Sequence, residues 1–573
     1  MSNLIQNVVV VMLENRSYDN VLGWLYNSSN APPYNEAPSG QSGLDGLTGS
    51  ESNPNPFGGT QTVLNQPTQT IGGSGQIYPG TTIPMVDPGE KFSDMAQQFS
   101  NGMQGFMDNY QAKVGKANIQ DVMNYLTPAQ LPVTAYLANK FAVCDQWFAS
   151  VPTQTFTNRL FAFCAAPAIL HVLFNTYSVV DDEQYEFDPL TLRPLSTVIN
   201  LPTVCQQLDD VLGSSTTNWK VYFHDYSIAV LTVPHIANVA QSSSNVNVAT
   251  FDDSDWGSNT PPQLGAMPST FVDDVLNGTL PPYAFIEPRY SRTKATNPLP
   301  PNSNHPGPGN YGLLVHSDPS DPPMDATGGE LLLMQVYNLL RQSSYWSSTL
   351  LIITYDEPGG VFDHVPPPVA TPPGTVHLDS PPPLPKIPNV SSLITDPAAE
   401  GYGFTGYGGR VPAILISPYI QSGTTIRGDG TPFDHASIVK TVWDVFSLST
   451  AEVTSLTQRD ANAPSVASHL DAGANNNPPV FSGTIVASPS ALIFDGITSQ
   501  TLLFSAGPGV APGASVGGDS WLQLAQPVLQ SSLIAMAVSV DSSGLSSGTY
   551  TNSIVIGASG VTSVTVPVTL YIN

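Results

Sequence analysis

The chain has 573 residues, 17 of them basic and 44 acidic, for a formal net charge of −27. That length exceeds one ordinary core and predicts two domains, and 41% apolar content excludes a chain disordered throughout. The negative charge excludes a sequence-independent grip on nucleic-acid phosphates or on an anionic membrane.

Val8-Val9-Val10-Val11-Met12-Leu13 is a continuous apolar run that stops at Glu14-Asn15. It reads as a strand buried on both faces, as in parallel sheets. The acid comes too early, and no basic stretch precedes it, so the segment is not a signal peptide as written. From Tyr26 to about Gly89 the Gly-, Pro-, Asn- and Ser-rich chain reads as ordered coil over the sheet edge. Helical spacing returns between Phe92 and Tyr125, and Leu131 to Phe148 reads as a helix followed by a buried segment. The three cysteines, Cys144, Cys164 and Cys205, can form at most one bridge and lack metal-site spacing.

A polar turn follows from Ser150 to Arg159, with a helix resuming at Leu160. A hydroxyl before a helix amino terminus faces free backbone donors, a natural place to receive an anion. Trp219 to His224 and Tyr283 to Tyr290 each carry a short strand, and His224 reads as structural. The Pro- and Asn-rich loop between Asn297 and Ala326 carries His305 and His316. Helical periodicity over Gly329 to Gln342 then leads into a second fully apolar run, Thr349 to Tyr355, giving the strand, crossover helix, strand unit of a parallel sheet.

This second run also ends in acids, Asp356-Glu357, before the turn Pro358-Gly359-Gly360. Acids at a strand end commonly just face water. Two such strands side by side, however, place Glu14, Asn15, Asp356 and Glu357 at one sheet edge, where three carboxylates repel unless a cation sits between them. Oxygen ligands favour calcium, magnesium or manganese, and carboxylates also accept zinc.

Arg410 to Ile420 supplies another buried strand, and Phe433 to Trp443 an amphipathic helix with Asp434 as cap. Composition shifts after about Leu456. The expected division is a catalytic domain over 1–456, a linker over 457–480, and a small β-sandwich over 481–573 with no histidine or cysteine. No run has the length of a membrane-spanning helix.

Five motifs occur in order across about residues 5 to 450: Glu14-Asn15-Arg16-Ser17-Tyr18-Asp19, Thr155-Phe156-Thr157-Asn158-Arg159, Pro301-Asn302-Ser303-Asn304-His305-Pro306, Tyr355-Asp356-Glu357-Pro358-Gly359-Gly360 with Phe362-Asp363-His364-Val365, and Arg410-Val411-Pro412 to Tyr419. Together they resemble the phosphoesterase family of non-haemolytic phospholipases C and bacterial acid phosphatases. The resemblance implies an alkaline-phosphatase-like α/β fold, a mostly parallel sheet sandwiched by helices. It implies a divalent metal on Glu14, Asn15, Asp356 and Glu357, Thr155 as nucleophile, and His305 as the active-site histidine, with His316 as the competing alignment. Glu90 stands where the family's phospholipases have a nearby histidine, and Pro358 where the family often has one. The carboxy-terminal part resembles bacterial immunoglobulin-like modules of surface or secreted hydrolases, through Gly548-Thr549-Tyr550 before a β-branched strand.

The function expected is metal-dependent hydrolysis of a small-molecule or lipid phosphate ester through a phospho-threonine intermediate, of phospholipase C or acid phosphatase type. The rival is a catalytically silent surface or binding protein on the same scaffold. A threonine in a turn more often bonds local backbone. His364 and His435 either line the site or are structural. Asn158 and Arg159 steady the nucleophile loop or the phosphate, or else pack the helix start, with Arg159 paired to an acid. Asp19 anchors its own turn. Composition and the appended module point to an extracellular or periplasmic setting.

Overall fold

The computed structural model describes residues 4–25, 43–70, 76–172, 175–182, 201–213, 217–240, 242, 246–251, 269–291, 299–307, 323–374, 402–450, 453–530 and 532–572. The protein is mixed α/β, with a large, mostly parallel central sheet. Its strands in chain order are β1 (Asn7–Leu13), β2 (Ala142–Val143), β3 (Trp219–Phe223), β4 (Val248–Thr250), β5 (Tyr283–Ile286), β6 (Thr349–Tyr355), β7 (Ala413–Ile416) and β8 (Thr424–Thr425). They lie side by side as β4-β3-β5-β1-β6-β7-β2-β8. Only β7 runs against its neighbours.

Every residue of β1 and β6 is buried, as the apolar runs require when both sheet faces are covered. The two pair in parallel from Asn7 opposite Thr349 to Leu13 opposite Tyr355. That register brings the residues following each strand to the same edge. The helices that frame the site are α1 (Pro132–Lys140), α2 (Thr155–Cys164), α3 (Thr327–Gln342) and α4 (Ala436–Phe446). The helix α3 lies in the crossover that leads into β6.

The described part of the stretch expected as coil holds two small ribbons, Ser52–Pro54 with Thr60–Thr62 and Thr68–Thr70 with Ile77–Pro79. Strands of three mostly polar residues carry no apolar alternation, which hides them from pattern reading. All three cysteines are free and buried.

Two further, mainly antiparallel sheets form the carboxy-terminal region. One orders Val486–Ser488, Ser499–Ser505, Leu533–Val540 and Leu522–Leu524; the other Leu492–Asp495, Val561–Ile572, Gly548–Ala558 and Gly513–Val516. The period of two sorts the first sheet's side chains. Leu502, Phe504 and Met536 join a core between the sheets, while Val486, Leu503 and Ala535 join the main core beneath.

Residues 457–480 are bound closely to the body of the protein. They include the helix Gln458–Asn462, whose Arg459 is buried. Arg459 donates to Asp434 Oδ2 at 2.8 Å and to the carbonyls of Thr371 and Ser150. Further on, the Pro478 carbonyl accepts from Arg341 Nε of α3 at 2.7 Å.

Candidate active site

The carboxyl ends of parallel strands form the crevice where open α/β sheets bind ligands. Glu14 and Asn15 follow β1, and Asp356 and Glu357 follow β6. Asn15 holds a left-handed φ of 55°, a conformation asparagine tolerates better than most residues. Against it packs Gly359, φ 66°, where a Cβ would come 2.0 Å from the Asn15 carbonyl oxygen. Only glycine lets the two turns seat together.

Asp356 is held from three sides. Its Oδ1 accepts the amides of Asn15 (3.1 Å) and Glu357 (2.8 Å), and its Oδ2 accepts Arg159 Nε (2.9 Å). Arg159 also donates to the Met12 and Leu13 carbonyls, and its guanidinium stands 4.0 Å from Glu14 and 3.9 Å from Glu287. Glu287, at the end of β5, went unremarked in the sequence. The signal was there: Tyr283-Ala284-Phe285-Ile286 is another apolar run ending in an acid.

Thr155 opens α2 and is 7% exposed. Asn158 ties down the loop before it: Nδ2 donates to the carbonyls of Val151, Thr153 and Gln154 at 3.1, 2.7 and 3.1 Å, and Oδ1 accepts the Val151 amide at 2.9 Å. Residues i and i+4 share a helix face, so Thr155 lies on the side that carries Arg159 to Asp356. The helix amino terminus is less open than its sequence suggests, because Asp182 Oδ1 accepts the Phe156 amide at 2.9 Å.

The histidines separate. His305 is buried, with Nδ1 2.6 Å from the Pro306 carbonyl and Nε2 3.9 Å from Glu90 Oε1. His435 Nε2 donates to the Asp356 carbonyl at 2.6 Å while Nδ1 accepts from Trp147 Nε1 at 3.4 Å, so it fixes the backbone of the acid turn. Burial lowers its pKa, in keeping with that neutral tautomer. His364 belongs to another network, bonded to Asp19 (2.7 Å) and Asp45 (3.1 Å), with Arg410 joining Asp19 and Asp363. Asp19 therefore does more than anchor its own turn. His316 lies outside the described residues.

Glu90, the site of the expected histidine, accepts Asn15 Nδ2 at 2.7 Å. Burial raises the Glu14, Glu90 and Glu357 pKa values well above the usual range. Neighbouring carboxylates add to this: Asp356 acts on Glu14 and Glu357, and Asp87 and Glu357 on Glu90. Asn15 Oδ1 and Glu357 Oε1 are buried with no hydrogen-bond donor. Crowded carboxylates with unmatched oxygens among them are what a divalent cation corrects, so the residues present fit one.

A buried acidic crevice at the carboxyl end of a parallel sheet, reached by the helix that Thr155 opens, stands where α/β enzymes bind their ligands. The chain belongs to the Phosphoesterase family, which it matches over residues 5–449. It is 31% identical over 481 residues to non-specific phospholipase C6 of Arabidopsis thaliana, covering 81% of this chain and 72% of that protein. Non-specific phospholipase C1 of the same plant is 31% identical over 479 residues, 80% and 69% of the two chains. Phospholipase C B of Mycobacterium tuberculosis (strain H37Rv) is 26% identical over 496 residues, 83% and 79%. The chain is a phosphoric ester hydrolase. No helix among the described residues is long and apolar enough to cross a membrane.

Proposed function

We propose that the protein is a metal-dependent phospholipase C-type hydrolase whose nucleophile is Thr155. The observation that carries this reading is the position of Thr155 one helical turn before Arg159, which is bonded to Asp356 at 2.9 Å. Glu14, Asn15, Asp356 and Glu357 would hold the cation. Bound there, a divalent cation lowers the pKa of a nearby hydroxyl and offsets phosphoryl charge.

The chain's own residues do the rest. Asn158 holds the 151–154 loop so that Thr155 keeps one position, and Arg159 and the Asn15 and Glu357 amides keep Asp356 oriented. Thr155 Oγ gives up its proton to water as it attacks phosphorus; the bond to the leaving alcohol breaks, that oxygen taking a proton from His305 or water, and a further water later cleaves the phospho-threonine ester and restores the hydroxyl. His305, its Nδ1 bonded to the Pro306 carbonyl, would use Nε2 to bind a phosphoryl oxygen or to protonate the leaving group. The relatives' names favour a phospholipid diester over a monoester.

The central sheet with its acidic crevice supports reading residues 1–456 as an alkaline-phosphatase-like domain. The separate core between the last two sheets supports an immunoglobulin-like module over 481–573, with 457–480 as the connection packed along the first.

The test is Thr155→Ala. Turnover of phosphatidylcholine and of p-nitrophenyl phosphate should fall at least about a hundredfold, with the melting temperature preserved. Turnover retained by the variant would remove Thr155 from the mechanism. Relative rates of the wild type on the two esters separate a diesterase from a monoesterase.

A further inference from the structure

The strand Leu492–Asp495 alternates between two surroundings, as a period of two requires. Leu492 and Phe494 belong to the core between the carboxy-terminal sheets. Ile493 points the other way and forms a separate buried cluster with Tyr78 and Met85, against which Tyr571 packs. On the same side as Ile493, Asp495 Oδ2 accepts Gln76 Nε2 at 2.6 Å. Just before the strand, Ser490 Oγ lies 3.0 Å from Thr81 Oγ1 and donates to Asp325 Oδ2 at 2.6 Å. The rest of the interface is of another kind, because Val486, Leu503, Leu533 and Ala535 join the main core.

The segment these residues grip runs on into the active site. Beyond the strand Ile77–Pro79 and one turn at Gly80–Thr82, residues 83–90 have no regular structure, so their place is set by what they touch. The Thr81 carbonyl accepts the Ala326 amide at 3.1 Å, and the Pro84 carbonyl the Gly307 amide at 3.0 Å. The fully buried Arg16 forks between this segment and the histidine loop, donating to the Ile83 carbonyl at 2.6 Å and to the Asn304 carbonyl at 2.8 Å. Gly89 is seated on the turn after Glu357, where a Cβ on Gly360 would come 2.5 Å from the Gly89 carbonyl oxygen. The next residue, Glu90, accepts Asn15 Nδ2 at 2.7 Å. That bond fixes which way the Asn15 amide turns, and leaves its Oδ1 as the atom to meet a cation.

We propose that Ser490, Ile493 and Asp495 are positioning residues for the hydrolysis: they brace residues 76–90 from the carboxy-terminal module and so hold Glu90 against Asn15. The module is then part of the catalytic unit. The effect on catalysis rests on the reading of Asn15 as a metal ligand, whereas the bracing does not.

The experiment uses the full chain and compares Ile493→Ala, Ile493→Val, Glu90→Gln and Asp356→Asn with Leu533→Ala, which weakens the other part of the interface. Ile493 lies outside the module's own core, so its truncation leaves that core intact. Hydrogen–deuterium exchange of peptides over 76–90 reads the brace, and kcat on p-nitrophenyl phosphorylcholine reads its consequence. Ile493→Ala should exchange faster there and lose about tenfold in kcat, Glu90→Gln at least as much, while Leu533→Ala stays within about twofold at any loss of melting temperature. Ile493→Val, which keeps most of the contact, should recover the rate. Unchanged exchange or kcat in Ile493→Ala, or equal losses in Ile493→Ala and Leu533→Ala, overturns the proposal. Full activity in Asp356→Asn with losses in Ile493→Ala and Glu90→Gln supports the brace and overturns the cation site. Loss in Asp356→Asn with Ile493→Ala and Glu90→Gln unaffected overturns the brace and leaves the cation site standing.

Discussion

His364 is bonded through both ring nitrogens to carboxylates, Asp19 and Asp45, so it carries two protons and a charge. Burial alone would lower its pKa, and Arg410 opposes the charge. The hydrogen bonds to the two acids outweigh both and push it up to about 10. A base whose folded pKa exceeds its unfolded value adds stability that is complete below the unfolded value, about 6.5, and is lost as pH rises through about 10. The wild type should therefore lose more stability across that window than His364→Gln, as read by urea denaturation at several pH values. Parallel curves for the two proteins would contradict this. Asp19, Asp363 and Arg410 complete the network, which lies among motif residues but outside the Thr155 crevice.

At the scale of the elements, β1 and β6 were legible because fully buried parallel strands leave continuous apolar runs, and their register follows once both are paired. That Glu14, Asn15, Asp356 and Glu357 share one sheet edge was legible for the same reason. Glu287 carried the same signal in a weaker form, because β5 is only four residues long. Asp87 and Glu90 reach the crevice from a loop with no periodicity, so their sequence showed only a missing histidine. Nor could local pattern show that Glu330 of α3 caps another helix: its carboxylate accepts the Val133 and Thr134 amides and the Thr134 hydroxyl at the start of α1. Replacing Glu330 with alanine removes the acceptor for three buried donors, at a cost of about 2 to 4 kcal/mol. Chemical denaturation should show that loss, and an unchanged midpoint would refute the cap.

At the scale of the whole molecule, the carboxy-terminal sheets do not hang free. Val486, Leu503, Leu533 and Ala535 enter the main core. Asn338 of α3 pairs both ways with the Phe481 backbone at 2.9 and 2.8 Å, and Asp325 Oδ2 accepts the Ser490 amide at 2.8 Å. The sequence showed a change of composition near Leu456 but not that the chain beyond would be bound into the body, because such contacts join residues far apart in sequence. Modules joined through an apolar face unfold together. Calorimetry of the full chain should give one cooperative transition; two well-separated transitions would show that the interface contributes little.

The account stands on Thr155 forming a covalent bond to phosphorus in the crevice between β1 and β6. Rapid acid quench during turnover, followed by peptide mass spectrometry, reads this directly. The account predicts the mass of the transferred phosphoryl or phosphorylcholine group on the peptide containing Thr155, and none in Thr155→Ala. Turnover with that peptide unmodified, or with the group on another side chain, would contradict it.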